Sequence, residues 1–296
     1  MLENVEIIID RLIEEIQYPK AKELFATLSG GKRLRARLIL TIAPNHNDAP
    51  LLGAIVELIH AASLLHDDVI DEAMVRRGTP SVNATHGSKT AIMLGDILYS
   101  KAFSELTRFD PEIAYAVSQS VTKLSVGEMM DVEMAVNFNC DRQKYLEMLY
   151  LKTATLIEAC AYCAALLVDK DALSYGEYGK NLGLAFQIID DILDITGDEK
   201  TLGKPAMNDF VEGKTTLPYI DLYEALNNEG QEKLVSLHGK VLNDDEKWWI
   251  KESMENYGVI QKSYDYAQML CDDAISSVSS EDALRAIVTS VMLRNH

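Results

Sequence analysis

Apolar positions recur along this chain at helical spacing. Residues 2–17 alternate apolar and acidic positions and predict an amphipathic helix. The run from Ala54 to Leu65 is apolar almost all round, which predicts a buried helix over about 51–71. Further helical periods cover about 89–108, 111–136, 141–168 and 171–195, then 219–227, 229–240, 243–256, 258–278 and 281–293. Pro44–Pro50 and Asn83–Ser88 read as loops, and no stretch sustains the alternation of a strand between turn signals. The expectation is an all-α protein of ten or more helices, with residues 1–296 forming a single domain.

Composition narrows the partners. A net charge of −18 argues against nucleic acid and makes the few basic clusters more informative. Cys140, Cys160, Cys163 and Cys271 fit no secreted disulfide pattern. Cys160 and Cys163 have redox-motif spacing but lie in an apolar helical pattern, as buried small residues do. With no signal peptide and no apolar run read as long enough to span a membrane, the expected compartment is a reducing cytoplasm. Trp248 and Trp249 read as packing residues.

Two acidic clusters carry the chemistry. Asp67, Asp68 and Asp71 emerge at the end of the buried helix, with Asp67 and Asp71 one turn apart. Three carboxylates so close repel one another unless a cation lies between them, and aspartate oxygens suit a hard ion such as Mg²⁺ with substrate phosphates. Arg76 and Arg77 follow, before Gly78-Thr79-Pro80. The plain alternative is a solvated acidic face, but the core helix in front of it favours a cavity. Asp190, Asp191 and Asp194 repeat the spacing at the end of another apolar helix, with Lys204 and Lys214 downstream. Gly30-Gly31-Lys32-Arg33-Leu34-Arg35-Ala36-Arg37 puts four cations in six residues at a helix start, an anion site or a solvated basic turn. Lys152 sits among Leu149, Tyr150, Leu151 and Leu156, where a lysine can also snorkel.

Together these segments resemble the trans-type polyprenyl diphosphate synthases, from Gly30 to about Pro218. The match takes in Gly-Gly-Lys-Arg-Leu-Arg, both aspartate motifs, Arg-Arg-Gly-x-Pro, Lys152-Thr153, Phe186-Gln187 and Gly203-Lys204-Pro205. The resemblance implies antiparallel helices in a barrel around a deep central cavity, and a homodimer. It implies head-to-tail condensation of isopentenyl diphosphate onto an allylic diphosphate, farnesyl or geranylgeranyl, with Mg²⁺ ions, up to three of them, bridged by diphosphate. Asp67 and Asp71, with Asp190 opposite, take the places of metal ligands, and Asp68, Asp191 and Asp194 complete the clusters. Lys32, Arg35, His60 and Arg77 match positions that bind isopentenyl diphosphate. Arg76, Lys152, Thr153, Gln187, Lys204 and Lys214 match positions that bind the allylic diphosphate or stabilise charge during ionisation. Transient membrane contact on product release is a further implication.

Three positions depart from the pattern: Ala36 where proline is usual, Met207 where glycine is common, and Phe210 where leucine is usual. The second of these leaves the backbone before Asp209 open. Two other readings compete. A class I terpene cyclase carries a different second metal motif and does not need the Gly30–Arg37 site. A non-catalytic partner subunit typically lacks aspartates that this chain keeps. Ala62 and Ser63, the fifth and fourth residues before Asp67, match places where aromatic residues stop growth at short products. Both are small, so the expected product grows toward Ile59, Val56 and Leu52 and is long, around octaprenyl, with a farnesyl or geranylgeranyl synthase as the alternative. Met129, Met130, Met134 and Phe138 are candidates for the cavity floor.

Overall fold

Helices carry most of the described residues: α1 Leu2–Glu14, α2 Pro19–Thr27, α3 Leu34–Ile42 and α4 Ala49–Ile70. A two-residue antiparallel pair follows, β1 Val75–Arg76 with β2 Thr79–Pro80. Then come α5 Val82–His86, α6 Ser88–Leu106, α7 Pro111–Ala135, α8 Arg142–Leu149, a π-helical turn Tyr150–Ala154, α9 Thr155–Leu167 and α10 Ala172–Thr196. The remainder is α11 Asn208–Val211, α12 Leu217–Ala225, α13 Asn228–Leu237, α14 Asp244–Asn256, α15 Val259–Ser277 and α16 Asp282–Met292. The computed structural model describes all residues except 29–30, 77, 198–205, 279–280 and 294–296.

The all-α expectation holds. Three stretches differ from the sequence reading. Residues 83–86 belong to α5, capped by Ser81, whose hydroxyl accepts the Ala84 N–H. Pro19–Thr27 is a helix started by Pro19 at its first position. The helix read over 141–168 is interrupted by the π-helical turn. Two stretches, Ala49–Ile70 and Arg142–Leu167, also prove long and apolar enough to cross a membrane. Because 67% and 61% of their apolar windows are buried inside the protein, they have the character of core helices.

The chain divides into two compact units, Met1–Thr122 with Leu156–Gly176, and Lys123–Thr155 with Glu177–His296. In the first, α4 is the central element, and α1, α3 and α6 pack on it. It is long and apolar because Leu52, Ala54, Ile55, Val56, Leu58, Ile59 and Ala62 are all fully buried. The second unit has a core in which Phe210 stacks on Tyr219 at 4.2 Å, backed by Leu222, Leu234, Ile250 and Met254. Phe138 packs edge-on against Phe210 and His238 there, while Met129 is 65% exposed. Met207 belongs to this core. It keeps the left-handed backbone a glycine would favour (φ 64°), with its side chain fully buried.

Candidate active site

The first aspartate cluster is built by the way α4 stops. Glu72 takes a left-handed conformation (φ 51°), and the Ala73 N–H turns back to donate to the Asp68 carbonyl at 2.9 Å. Asn83 latches this end by donating from Nδ2 to the carbonyls of Asp68 and Ala73, each at 2.9 Å. Asp67 is half-buried and Asp71 exposed on the last turn, whereas Asp68 is buried. The Arg76 Nε, carried by β1, donates to Asp68 Oδ1. Burial raises the Asp68 carboxyl above its ordinary value, Arg76 opposes this, and the Asp71 charge adds to it. Ser63 is buried one turn back, its hydroxyl turned to the His60 carbonyl at 2.9 Å, and Ala62 is fully buried beside it. Arg77 lies outside the described residues.

The basic segment leads into α3 in the same unit. Lys32 is exposed. Arg33 adopts a left-handed conformation (φ 50°), a strain of about 1–2 kcal/mol for a non-glycine residue. Its guanidinium is held by Glu6 at 2.8 and 3.0 Å and by Glu57 at 3.4 Å. Arg35 Nε is buried with no hydrogen-bond partner among the described residues. Burial lowers the pKa of this guanidinium, and Glu57 and Cys160 oppose that.

In the second unit the residues around Lys152 lie on the π-helical turn. Such a turn widens the helix by one residue and often marks a functional site. Close backbone approaches on two sides accompany it. A Cβ on Gly127 of α7 would lie 2.3 Å from the Lys152 nitrogen, and one on Gly183 of α10 would lie 2.6 Å from the Ala154 Cα. The Lys152 ammonium reaches Glu128 at 2.8 Å and Asp131 at 2.5 Å, both on α7. Burial works against its charge, but Asp131 and Glu128 outweigh this and raise its pKa, with Lys214 near enough to pull it back. Thr153 donates to Gln187 Oε1 at 3.1 Å, and Gln187 Nε2 donates to Asp191 Oδ1 at 2.9 Å.

The second cluster sits on α10. Asp190 is half-buried, whereas Asp191 and Asp194 are buried. The Tyr145 hydroxyl donates to Asp191 Oδ2 at 2.5 Å, and the Asp209 N–H donates to Asp194 Oδ2 at 3.1 Å. Burial, then the charge of Asp209, raises the Asp191 carboxyl well above its ordinary range, and the bonds from Tyr145 and Gln187 oppose this. Lys214 donates to Glu212 at 2.9 Å. Lys204 lies outside the described residues.

Each cluster thus turns carboxylates inward to protein donors, Asp68 in the first and Asp191 and Asp194 in the second. Asp67, Asp71 and Asp190 are its more accessible members. Among the described residues no group of three or more His, Cys, Asp or Glu side chains could hold a metal ion. The carboxylate oxygens of Asp67, Asp71 and Asp190 are hard donors of the kind that suit Mg²⁺, an ion that completes its octahedron with substrate oxygens and water. Glu57, Glu128, Asp131, Tyr145 and Asn83 were not among the sequence candidates. For the first four the available signal was an acidic residue or tyrosine at a core position, where a polar group is kept only with a partner.

The profile of the polyprenyl synthetase family matches residues 20–255. The chain is 37% identical over 290 residues to geranylgeranyl diphosphate synthase of Sulfolobus acidocaldarius, covering 89% of this chain and 85% of that protein. It is 33% identical over 221 residues to octaprenyl diphosphate synthase of Escherichia coli, covering 72% and 68%. Among solved structures, octaprenyl pyrophosphate synthase from Helicobacter pylori is similar with a TM-score of 0.94 and 44% identity, over 99% of this chain and 98% of that one.

Proposed function

The chain belongs to the polyprenyl synthetase family, and from that premise we propose that it condenses isopentenyl diphosphate head to tail onto farnesyl or geranylgeranyl diphosphate, giving a linear product of about octaprenyl length. The observation that carries the length is the pair of small buried side chains, Ala62 and Ser63, one turn before Asp67, followed by an apolar helix. The likeness to an octaprenyl pyrophosphate synthase supports it. The second reading, a shorter product, is favoured by the likeness to a geranylgeranyl diphosphate synthase.

Asp67, Asp71 and Asp190 are the side chains assigned to Mg²⁺, with Asp68, Asp191 and Asp194 behind them. Bound there, the ions supply Lewis-acid charge to the leaving diphosphate. Lys32, Arg35, His60 and Arg77 hold the diphosphate of isopentenyl diphosphate. Arg76, Lys152, Thr153, Gln187, Lys204 and Lys214 hold the allylic diphosphate and stabilise the charge that grows on it as the C–O bond ionises. The allylic cation requires a site that excludes water, which would quench it to an alcohol. The homoallylic double bond attacks that cation, and the proton then lost passes to the departed diphosphate. Residues 1–296 work as one isoprenoid synthase domain. The exposed apolar face of α7, with Val126, Met129 and Val132, supports a homodimer. Three buried free thiols, Cys160, Cys163 and Cys271, support a cytoplasmic location.

The test is chromatography of the dephosphorylated product from purified chain, labelled isopentenyl diphosphate, farnesyl diphosphate and Mg²⁺. Octaprenol is the expected product. Arrest at farnesol or geranylgeraniol overturns the length, a hydrocarbon overturns the condensation, and no turnover by the chain alone overturns the catalytic role.

A further inference from the structure

We infer that Glu57 is a positioning residue for the isopentenyl diphosphate pocket, fixing Arg35 by holding the residues on both sides of it. This rests on the reading of Arg35 as a diphosphate ligand. Glu57 is 4% exposed on α4, between the fully buried Val56 and Leu58. A carboxylate in such a place is costly unless it is partnered. Among the described residues, both of its hydrogen-bond partners come from the segment that opens α3. The Ala36 N–H donates to Oε1 at 3.1 Å, and the Arg33 Nη1 donates to Oε2 at 3.4 Å. Arg35 lies between these two anchors in the chain.

The arrangement answers a local deficit. The first amides of a helix need an acceptor, usually the side chain of the N-cap residue. Here the N-cap residue is Arg33, which has only donors and no side-chain cap bond. Glu57 therefore caps α3 from another helix. Gly53, one turn earlier on α4, permits the approach, because a Cβ there would lie 3.3 Å from the Ala36 Cβ. Ala36 itself contributes the N–H, which the proline usual at this position in the resemblance lacks. Glu6 of α1 grips the rest of the Arg33 guanidinium and completes the clamp. The buried Arg35 Nε, without a protein acceptor among the described residues, is then held ready for an anion.

Glu57→Gln keeps the shape but leaves one acceptor oxygen for two donors. The expected result is a rise of about tenfold in the apparent KM for isopentenyl diphosphate, with kcat and the allylic KM changed less than about twofold. Calorimetric titration of isopentenyl diphosphate into metal-free protein should show the same loss of affinity. An unchanged KM overturns the inference. A lowered KM also overturns it, because the carboxylate would then only compete with the diphosphate for Arg35. Parallel losses in kcat and both KM values would show a general structural role and overturn it too. If Glu57→Gln does not fold, Glu57→Asp replaces it, since its shorter reach cannot keep both bonds and the same split is expected. Arg35→Ala is the control. If it leaves the isopentenyl KM unchanged, the reading of the pocket fails; if it raises that KM while Glu57→Gln does not, only the inference fails.

Discussion

On the proposed function Lys152 has two roles that mutation can separate. Its ammonium lies between Glu128 and Asp131, both side chains 9% exposed and its own 22% exposed. Lys152→Ala leaves two carboxylates buried without their cation. Removing one partner of a buried pair costs about 3–5 kcal/mol, and the partial exposure of the lysine reduces this to about 2–4 kcal/mol. The lysine pKa is raised above 10.5, so its contribution is fully present below that value and lost only as pH rises through the folded value. The deficit of the variant should therefore be constant across the neutral range. Urea unfolding followed by far-UV circular dichroism measures it as a lowered midpoint at unchanged slope. Adding Glu128→Gln and Asp131→Asn to Lys152→Ala should restore half or more of the lost stability, because no charge is then left stranded. Turnover should not return, because the cation assigned to the leaving diphosphate in the proposed function is still missing. An unchanged midpoint in Lys152→Ala, or recovery of turnover together with stability in the triple variant, would refute this reasoning.

Asp67→Ala, Asp71→Ala and Asp190→Ala should each lower turnover by several orders of magnitude at saturating Mg²⁺ with the fold intact, since each removes several kcal/mol of stabilisation from the ionising diphosphate; near-normal turnover in Asp67→Ala contradicts its assignment. Ser63→Phe or Ala62→Phe should shift the product to farnesyl or geranylgeranyl diphosphate without loss of the first condensation. Four residues at ~1.5 Å rise set a ring about 6 Å below Asp67, and full-length product from both variants would defeat the geometry. Met207→Gly relieves about 1–2 kcal/mol of left-handed strain but forfeits a fully buried side chain worth about 2–5 kcal/mol. A net loss of stability is expected, and a raised Tm would show that strain dominates.

The sequence was most legible where one period and one chemistry coincide. The helices read over 51–71 and 171–195 are found at Ala49–Ile70 and Ala172–Thr196, because long apolar runs that end in carboxylates leave little choice. The π-helical turn at Lys152 was invisible because it keeps the composition of a helix. The nearby signals are glycines, Gly127 and Gly183, on other helices, and their spacing in the chain says nothing of their meeting. Glu57, Glu128 and Tyr145 were missed for a related reason. Each lies on a helix far from its partner in the chain, 21 or more residues away for Glu57, 24 for Glu128 and 46 for Tyr145. Met207 appeared as a breach of pattern, yet its backbone keeps the left-handed turn while its side chain fills the core.

The inward-facing aspartates give the proposed chemistry a physical order. Asp68 answers Arg76, Asp191 answers Tyr145 and Gln187, and Asp194 answers the Asp209 N–H, so a share of each cluster's acceptors is already engaged by protein donors. These contacts fix the turns that carry Asp67, Asp71 and Asp190, the more accessible carboxylates of the two clusters. An ion that requires six oxygens and gives up water reluctantly gains little from one or two carboxylates alone. It gains much more when diphosphate oxygens arrive with it. On the proposed function, metal affinity is therefore coupled to the allylic substrate, and the Lewis-acid charge is assembled where a diphosphate is ready to leave. The coupling is reciprocal: whatever factor the diphosphate adds to Mg²⁺ affinity, Mg²⁺ adds to diphosphate affinity.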